Sequence, residues 1–73
     1  MGKPTYNRIR IRRAELDISQ LDAALAAGIH RSRMWMIENG YAEPTVGERV
    51  ALATALDTAE ADLWPPAQSQ EVA

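Results

Sequence analysis

Residues 18–45 read ISQLDAALAAGIHRSRMWMIENGYAEPT, and this stretch decides how the chain folds. Ser19 is a natural N-cap, and Asp22 follows three residues later, where a carboxylate complements the helix dipole. The run from Gln20 to Ala27 is rich in alanine, a strong helix former, and it stops at Gly28, which takes a left-handed C-terminal conformation at little cost. Only Ile29 and His30 separate it from a second helical run, Arg31 to Glu38, which Asn39-Gly40 ends in turn. A loop, Tyr41-Ala42-Glu43-Pro44, then leads to Thr45, which forms a capping box with Glu48 for the next helix.

Working outward, that next helix carries Val46, Val50, Leu52, Ala53 and Leu56 at spacings of three and four. A last short helix, about Ala59 to Trp64, is stopped by Pro65-Pro66, and the polar residues 67–73 are expected to be a disordered tail. Upstream, Pro4 opens a segment that runs to about Leu16 and breaks at Asp17-Ile18. Within it Ile9 and Ile11 alternate with Arg8, Arg10 and Arg12, a pattern that fits a strand as well as a helix. Helix is the assignment, because Arg12 to Leu16 holds good helix formers and a lone strand has no partner. The chain thus reads as all-α, with one domain over 1–66. Its two central helices, joined by a glycine-containing turn, form a helix-turn-helix unit.

Composition limits what such a domain does. A chain of 73 residues buries only about 60% of the surface it exposes when unfolded, so its core is thin. There is no cysteine to staple it or to hold a metal, and no phenylalanine, while thirteen alanines favour closely packed helices. One histidine and no cysteine leave no constellation for catalysis, so an enzyme is not expected, nor is a metal or cofactor. No apolar run reaches a membrane span and no signal-peptide core is visible, which points to a cytoplasmic protein without a membrane partner. The net charge of −2 hides an asymmetry: residues 1–33 hold seven bases against three acids, and residues 34–73 hold Arg49 alone against seven acids. One basic face on an acidic body is the expectation.

The combination of Ser19-Gln20, Ala24, Gly28, Ile37-Glu38-Asn39-Gly40, Pro44, Leu52-Ala53-x-x-Leu56 and Asp62-Leu63 resembles the phage-repressor (Cro/XRE-type) helix-turn-helix regulators. The spacing holds without insertion or deletion from about Ile9 to Trp64. The resemblance implies a compact five-helix, lambda-repressor-like DNA-binding domain that reads double-stranded operator DNA and regulates transcription, usually as a homodimer on a palindrome. Phage repressor, Cro-like protein, restriction–modification controller and antitoxin all fit this size. The third helix would lie in the major groove while the second crosses above it. Arg31, Ser32 and Met36 match positions that usually touch base edges, and Trp35 lies beside them. Gln20, Arg33 and Asn39 match phosphate-holding positions. Arg13 and Glu38 match a structural ion pair, and Trp64 is a candidate contact between two copies.

The residues themselves agree with that geometry. Met34 and Ile37, three apart, share an inward face with Ile29, while Ser32, Trp35, Met36 and Asn39 fall on the other side, flanked by Arg31 and Arg33. Blander readings stand beside the sharper ones. The arginines from Arg8 to Arg13 are a solvated helix face or a DNA-contacting arm. His30 caps a helix or is simply exposed, Leu21 and Leu25 are packing residues, and Trp64 is a core or interface anchor. Trp35 and Met36 stand where the family often has a serine and a base. Their apolar surface suits thymine methyls, or a protein partner in an alternative reading of the chain as a protein-interaction module. Arg49 stands where a buried leucine is common, so its charge is expected to snorkel outward.

Overall fold

The computed structural model describes residues 6–65. Pro4 and the polar segment 67–73 lie outside the described residues. Within them run five helices: α1 (Ile9–Leu16), α2 (Gln20–Ala27), α3 (Arg31–Glu38), α4 (Val46–Ala55) and α5 (Glu60–Leu63). No strand occurs among the described residues, so the strand reading of Ile9 to Ile11 does not apply.

Four of the five helices end in the same way. After α2, the Gly28 N–H bonds the Leu25 carbonyl and the Ile29 N–H bonds the Ala24 carbonyl, with Gly28 at φ 70°. After α3 the same pair of bonds runs from Gly40 to Ile37 and from Tyr41 to Met36, with Gly40 at φ 82°. These paired bonds satisfy carbonyls that a helix end leaves without partners. Asp17 and Asp57 do the same for α1 and α4 at φ 57° and 52°, a conformation that aspartate tolerates better than most residues. The tight left-handed stop lets α2 and α3 turn sharply with only Gly28, Ile29 and His30 between them.

The start of α1 corrects the expectation drawn from Pro4. The helix begins at Ile9, because Tyr6 to Arg8 are held in another arrangement. Asn7 Oδ1 accepts from the Ile9 N–H, while Asn7 Nδ2 donates to the Ile37 and Glu38 carbonyls at the end of α3. The Arg8 N–H donates to the Leu63 carbonyl of α5 at 2.8 Å. Arg12 reaches the other way and donates to the Leu56 and Asp57 carbonyls, where the C-terminus of α4 is electronegative.

The core gathers Ile9, Ala23, Ala24, Ile29, Met34, Ile37, Leu52, Ala53, Leu56, Leu63 and Trp64. Helix α2 faces inward with Ala23 and Ala24, small enough to let it pack directly on both α3 and α4. Leu21 and Leu25 therefore point outward and are exposed, contrary to the packing role read from their spacing. Val46 and Val50 are likewise exposed, so only Leu52, Ala53 and Leu56 of the α4 pattern reach the core. Among the described residues no helix is long and apolar enough to cross a membrane.

The Gly28 turn offers a direct test. A Cβ built there meets nothing within 4 Å, so the whole cost of an alanine is its left-handed backbone. Gly28→Ala is expected to lose about 1–2 kcal/mol in urea unfolding, and Gly28→Asn less, because asparagine visits that region more readily. Equal stability of Gly28→Ala and the parent protein would contradict the account of this turn.

Candidate nucleic-acid interface

Helix α3 is fixed at both ends and along its inner side. At its start His30 Nδ1 accepts from the Ser32 N–H at 3.1 Å, so the histidine is an N-cap. Met34 and Ile37 anchor the inward face with essentially no exposure. At its end the paired bonds of Gly40 and Tyr41 close the last turn.

Below this helix lies the polar centre of the domain. The Glu38 side chain is fully buried, yet its two oxygens receive four hydrogen bonds. Arg13 donates twice, at 3.2 and 2.7 Å, Gln20 Nε2 once at 2.9 Å, and Arg10 Nε once at 3.3 Å. Burial alone pushes this carboxyl up. The bonds from Arg13 and Gln20, the nearby Arg13 charge and the Arg10 bond outweigh it and hold the group below the ordinary carboxylate range. Arg13 and Glu38 are thus brought together, and two residues not anticipated in this cluster, Arg10 and Gln20, complete it.

The outward face is different in character. Arg31, Ser32, Trp35 and Met36 are exposed, and together with Gln20 and His30 they line an open hollow of about 670 Å³. None of these lining residues is acidic, in a chain that holds ten acids. Among the described residues no acceptor pairs with the Arg31 guanidinium. Trp35, half exposed, stacks on Tyr41 with ring centroids 5.8 Å apart and planes 19° from parallel. Nothing in the sequence marked Tyr41 beyond its being an aromatic residue in a polar loop.

The three residues matched to phosphate positions are all bonded within the domain. Gln20 serves Glu38. Arg33 donates to both oxygens of Glu48, at 3.1 and 2.9 Å, and to the Glu43 carbonyl at 2.9 Å. The Arg33 bond is also the main reason that the Glu48 carboxyl lies below its usual range. Glu48 is at the same time the capping-box residue of α4, so the pair ties α3 to the start of that helix. Asn39 accepts from Arg10 and donates to the Trp35 carbonyl. Trp64, for its part, is a core residue in the single chain, 8% exposed, with the Arg49 guanidinium 4.9 Å from its ring centroid. Arg49 also pairs with Glu60, so its charged group reaches the surface while it lies over the tryptophan ring.

A helix-turn-helix family model, of the Cro/C1/XRE type, matches residues 9–63, from the first residue of α1 to the last of α5. The chain belongs to this family. Members are DNA-binding regulators of transcription. Among solved structures, this helix-turn-helix protein is similar to the restriction-modification controller protein C.AhdI from Aeromonas hydrophila. The two share 31% identity over 75% of this chain and 83% of that one, with a TM-score of 0.72. The hypothetical transcription factor NHTF from Neisseria shares the fold at 24% identity and TM-score 0.75, over 86% and 72% of the two chains. So does a chain of the SinR protein/SinI protein complex, at 23% identity and TM-score 0.76, over 86% and 62%. A comparison with curated protein sequences gives no significant match.

In this member of the family the Glu38 cluster makes stability depend on acid in a defined direction. Because the folded carboxyl is held below its unfolded value of about 4.3, its contribution is complete above that pH and is lost as pH falls through the folded value. Glu38→Gln is expected to cost about 3 kcal/mol at pH 7, since it strands a largely buried Arg13. The variant's stability should then fall less steeply than the parent's below about pH 4. Urea unfolding of both proteins between pH 7 and 3 measures this, and parallel curves would contradict it.

Proposed function

We propose that this protein is a sequence-specific transcriptional regulator that reads an operator half-site with α3 in the major groove. The observation that carries the reading is the acid-free outer face of α3, on which Arg31, Ser32, Trp35 and Met36 stand exposed around one hollow. Arg31 presents the unpaired fork that bonds guanine O6 and N7, and Ser32 beside it suits either donor or acceptor edges. The likeness to a restriction-modification controller protein at 31% identity supports a regulatory role.

Two copies on one site complete the proposal. A homodimer would set its recognition helices about 34 Å apart, one turn of DNA, and select a near-palindromic operator. The end of the domain formed by α5 is the proposed contact. There Ala59, Ala61 and Asp62 stand exposed beside Trp64, whose buried Nε1 has no hydrogen-bond partner among the described residues. Phosphate contacts are few in this reading, since Arg13, Arg33, Gln20 and Asn39 serve the fold. Arg8 and Arg31 are exposed and lack an ion-pair partner among the described residues. The alternative, a protein-interaction module, draws on the exposed Trp35–Tyr41 stack, whose aromatic surface also suits an interface hot spot.

Selection from a random duplex pool followed by sequencing decides between them. An enriched inverted repeat is expected, with Arg31→Ala costing about 1–3 kcal/mol at the selected site and relaxing one base position. The logarithm of affinity should fall with the logarithm of salt with a shallow slope, about −2 for a dimer in which Arg8 of each copy holds one phosphate. Enrichment of no sequence by the folded protein would overturn operator reading in favour of a protein partner docking on Trp35.

A further inference from the structure

The proposed reading face is not uniform. Its N-terminal half, His30-Arg31-Ser32, is polar, and its C-terminal half, Trp35-Met36, is apolar. Both of these apolar side chains are substantially exposed, at 50% and 40%, on a helix whose core side is already filled by Met34 and Ile37. Their exposure is therefore not a by-product of a missing core contact. Trp35 is also held in place, since Tyr41 stacks against it and the Tyr41 N–H is bonded to the Met36 carbonyl at 2.8 Å. A large apolar group that is exposed and braced is preorganised for a ligand rather than left loose.

We infer that the Trp35–Met36 surface, braced by Tyr41, is a specificity element for the C5-methyl group of thymine. This deepens the operator-reading proposal and rests on it. In the major groove the thymine methyl is the apolar feature that a base pair presents, and only an apolar side chain gains from covering it. An occupant with negative charge close by is favoured by the hollow itself, which places Arg31, His30 and Gln20 at its polar side and no carboxylate anywhere along it. The thioether of Met36 adapts to the methyl's position, while the fixed indole supplies a flat wall.

The helix also sets where that thymine lies. Residues 31 and 35–36 are four to five positions apart, which at 1.5 Å per residue is about 6–7.5 Å along α3. Base pairs are stacked at about 3.4 Å, so the methyl contact falls about two base pairs from the guanine that Arg31 reads. The half-site is thus expected to combine a guanine with a thymine at that separation.

The test replaces each thymine of the selected duplex in turn by deoxyuridine, which keeps O4 and lacks only the methyl. At one position about two base pairs from the guanine, uracil should weaken binding of the parent protein roughly fourfold, the worth of one buried methyl. Trp35→Ala and Met36→Ala should bind thymine and uracil duplexes alike there, and Tyr41→Ala should narrow the gap. Arg31→Ala should weaken both duplexes and preserve their ratio. These side chains are exposed, and circular dichroism melts verify that each variant is folded. Equal affinity of the parent for thymine and uracil at every position would overturn the inference while leaving operator reading intact. So would a thymine preference that survives both Trp35→Ala and Met36→Ala. A pool that yields no selected sequence removes the operator proposal itself, and this inference with it.

Discussion

The buried carboxylate of Glu38 receives hydrogen bonds from Arg10 and Arg13 of α1 and from Gln20 of α2, and it sits on the last turn of α3. A charge in so thin a core is costly unless its partners are complete. Completeness here requires three helices to hold fixed places relative to one another. The same end of α3 accepts two bonds from Asn7, and its middle is tied through Arg33 to the capping carboxylate of α4. A helix of only eight residues, marginal by itself, is made rigid by polar contacts on its flanks and by Met34 and Ile37 beneath. Rigid support of this kind is what a reading helix needs, because base recognition depends on side chains projecting from a fixed axis.

That arrangement divides the polar residues by task. Arg10, Arg13, Gln20, Arg33 and Asn39 are spent inside the domain, although three of them occupy positions matched to phosphate contacts. Arg31 and Ser32 remain turned outward, together with an apolar pair that the domain does not use for its own packing. The acidic second half of the chain carries Glu38 and Glu48, and these two acids pair with Arg10, Arg13 and Arg33 of the first half, away from the outer face of α3. The local field at α3 therefore differs from what the net charge of −2 suggests.

Local punctuation was legible and tertiary preference was not. The bounds of α2 and α3 follow from Ser19, Gly28, Asn39 and Gly40, whose backbone roles are decided within a few residues. The start of α1 is not legible locally, because it is set by bonds from Asn7 to α3 and from Arg8 to α5, some thirty or more residues away. Asn7 did carry a signal, since asparagine two residues before Ile9 is a capping type. Leu21 and Leu25 have the spacing of a packing face, yet α2 packs through Ala23 and Ala24, whose small side chains let it approach both α3 and α4 closely. The Arg13–Glu38 pair came from the family pattern. The partners of Gln20 and Arg33 depend on three-dimensional neighbours that spacing does not reveal.

A regulator that reads DNA as proposed meets it with the outer face of α3, while the core side of the domain stays as it is. The two tryptophans report on these faces separately, Trp35 exposed on α3 and Trp64 buried beside α5. Their indole N–H signals, followed by nuclear magnetic resonance while a selected duplex is added, test the claim most directly. The account predicts a large shift of the Trp35 signal at one equivalent of sites, and a much smaller one for Trp64. A titration in which DNA binds and the Trp35 signal stays in place would contradict it.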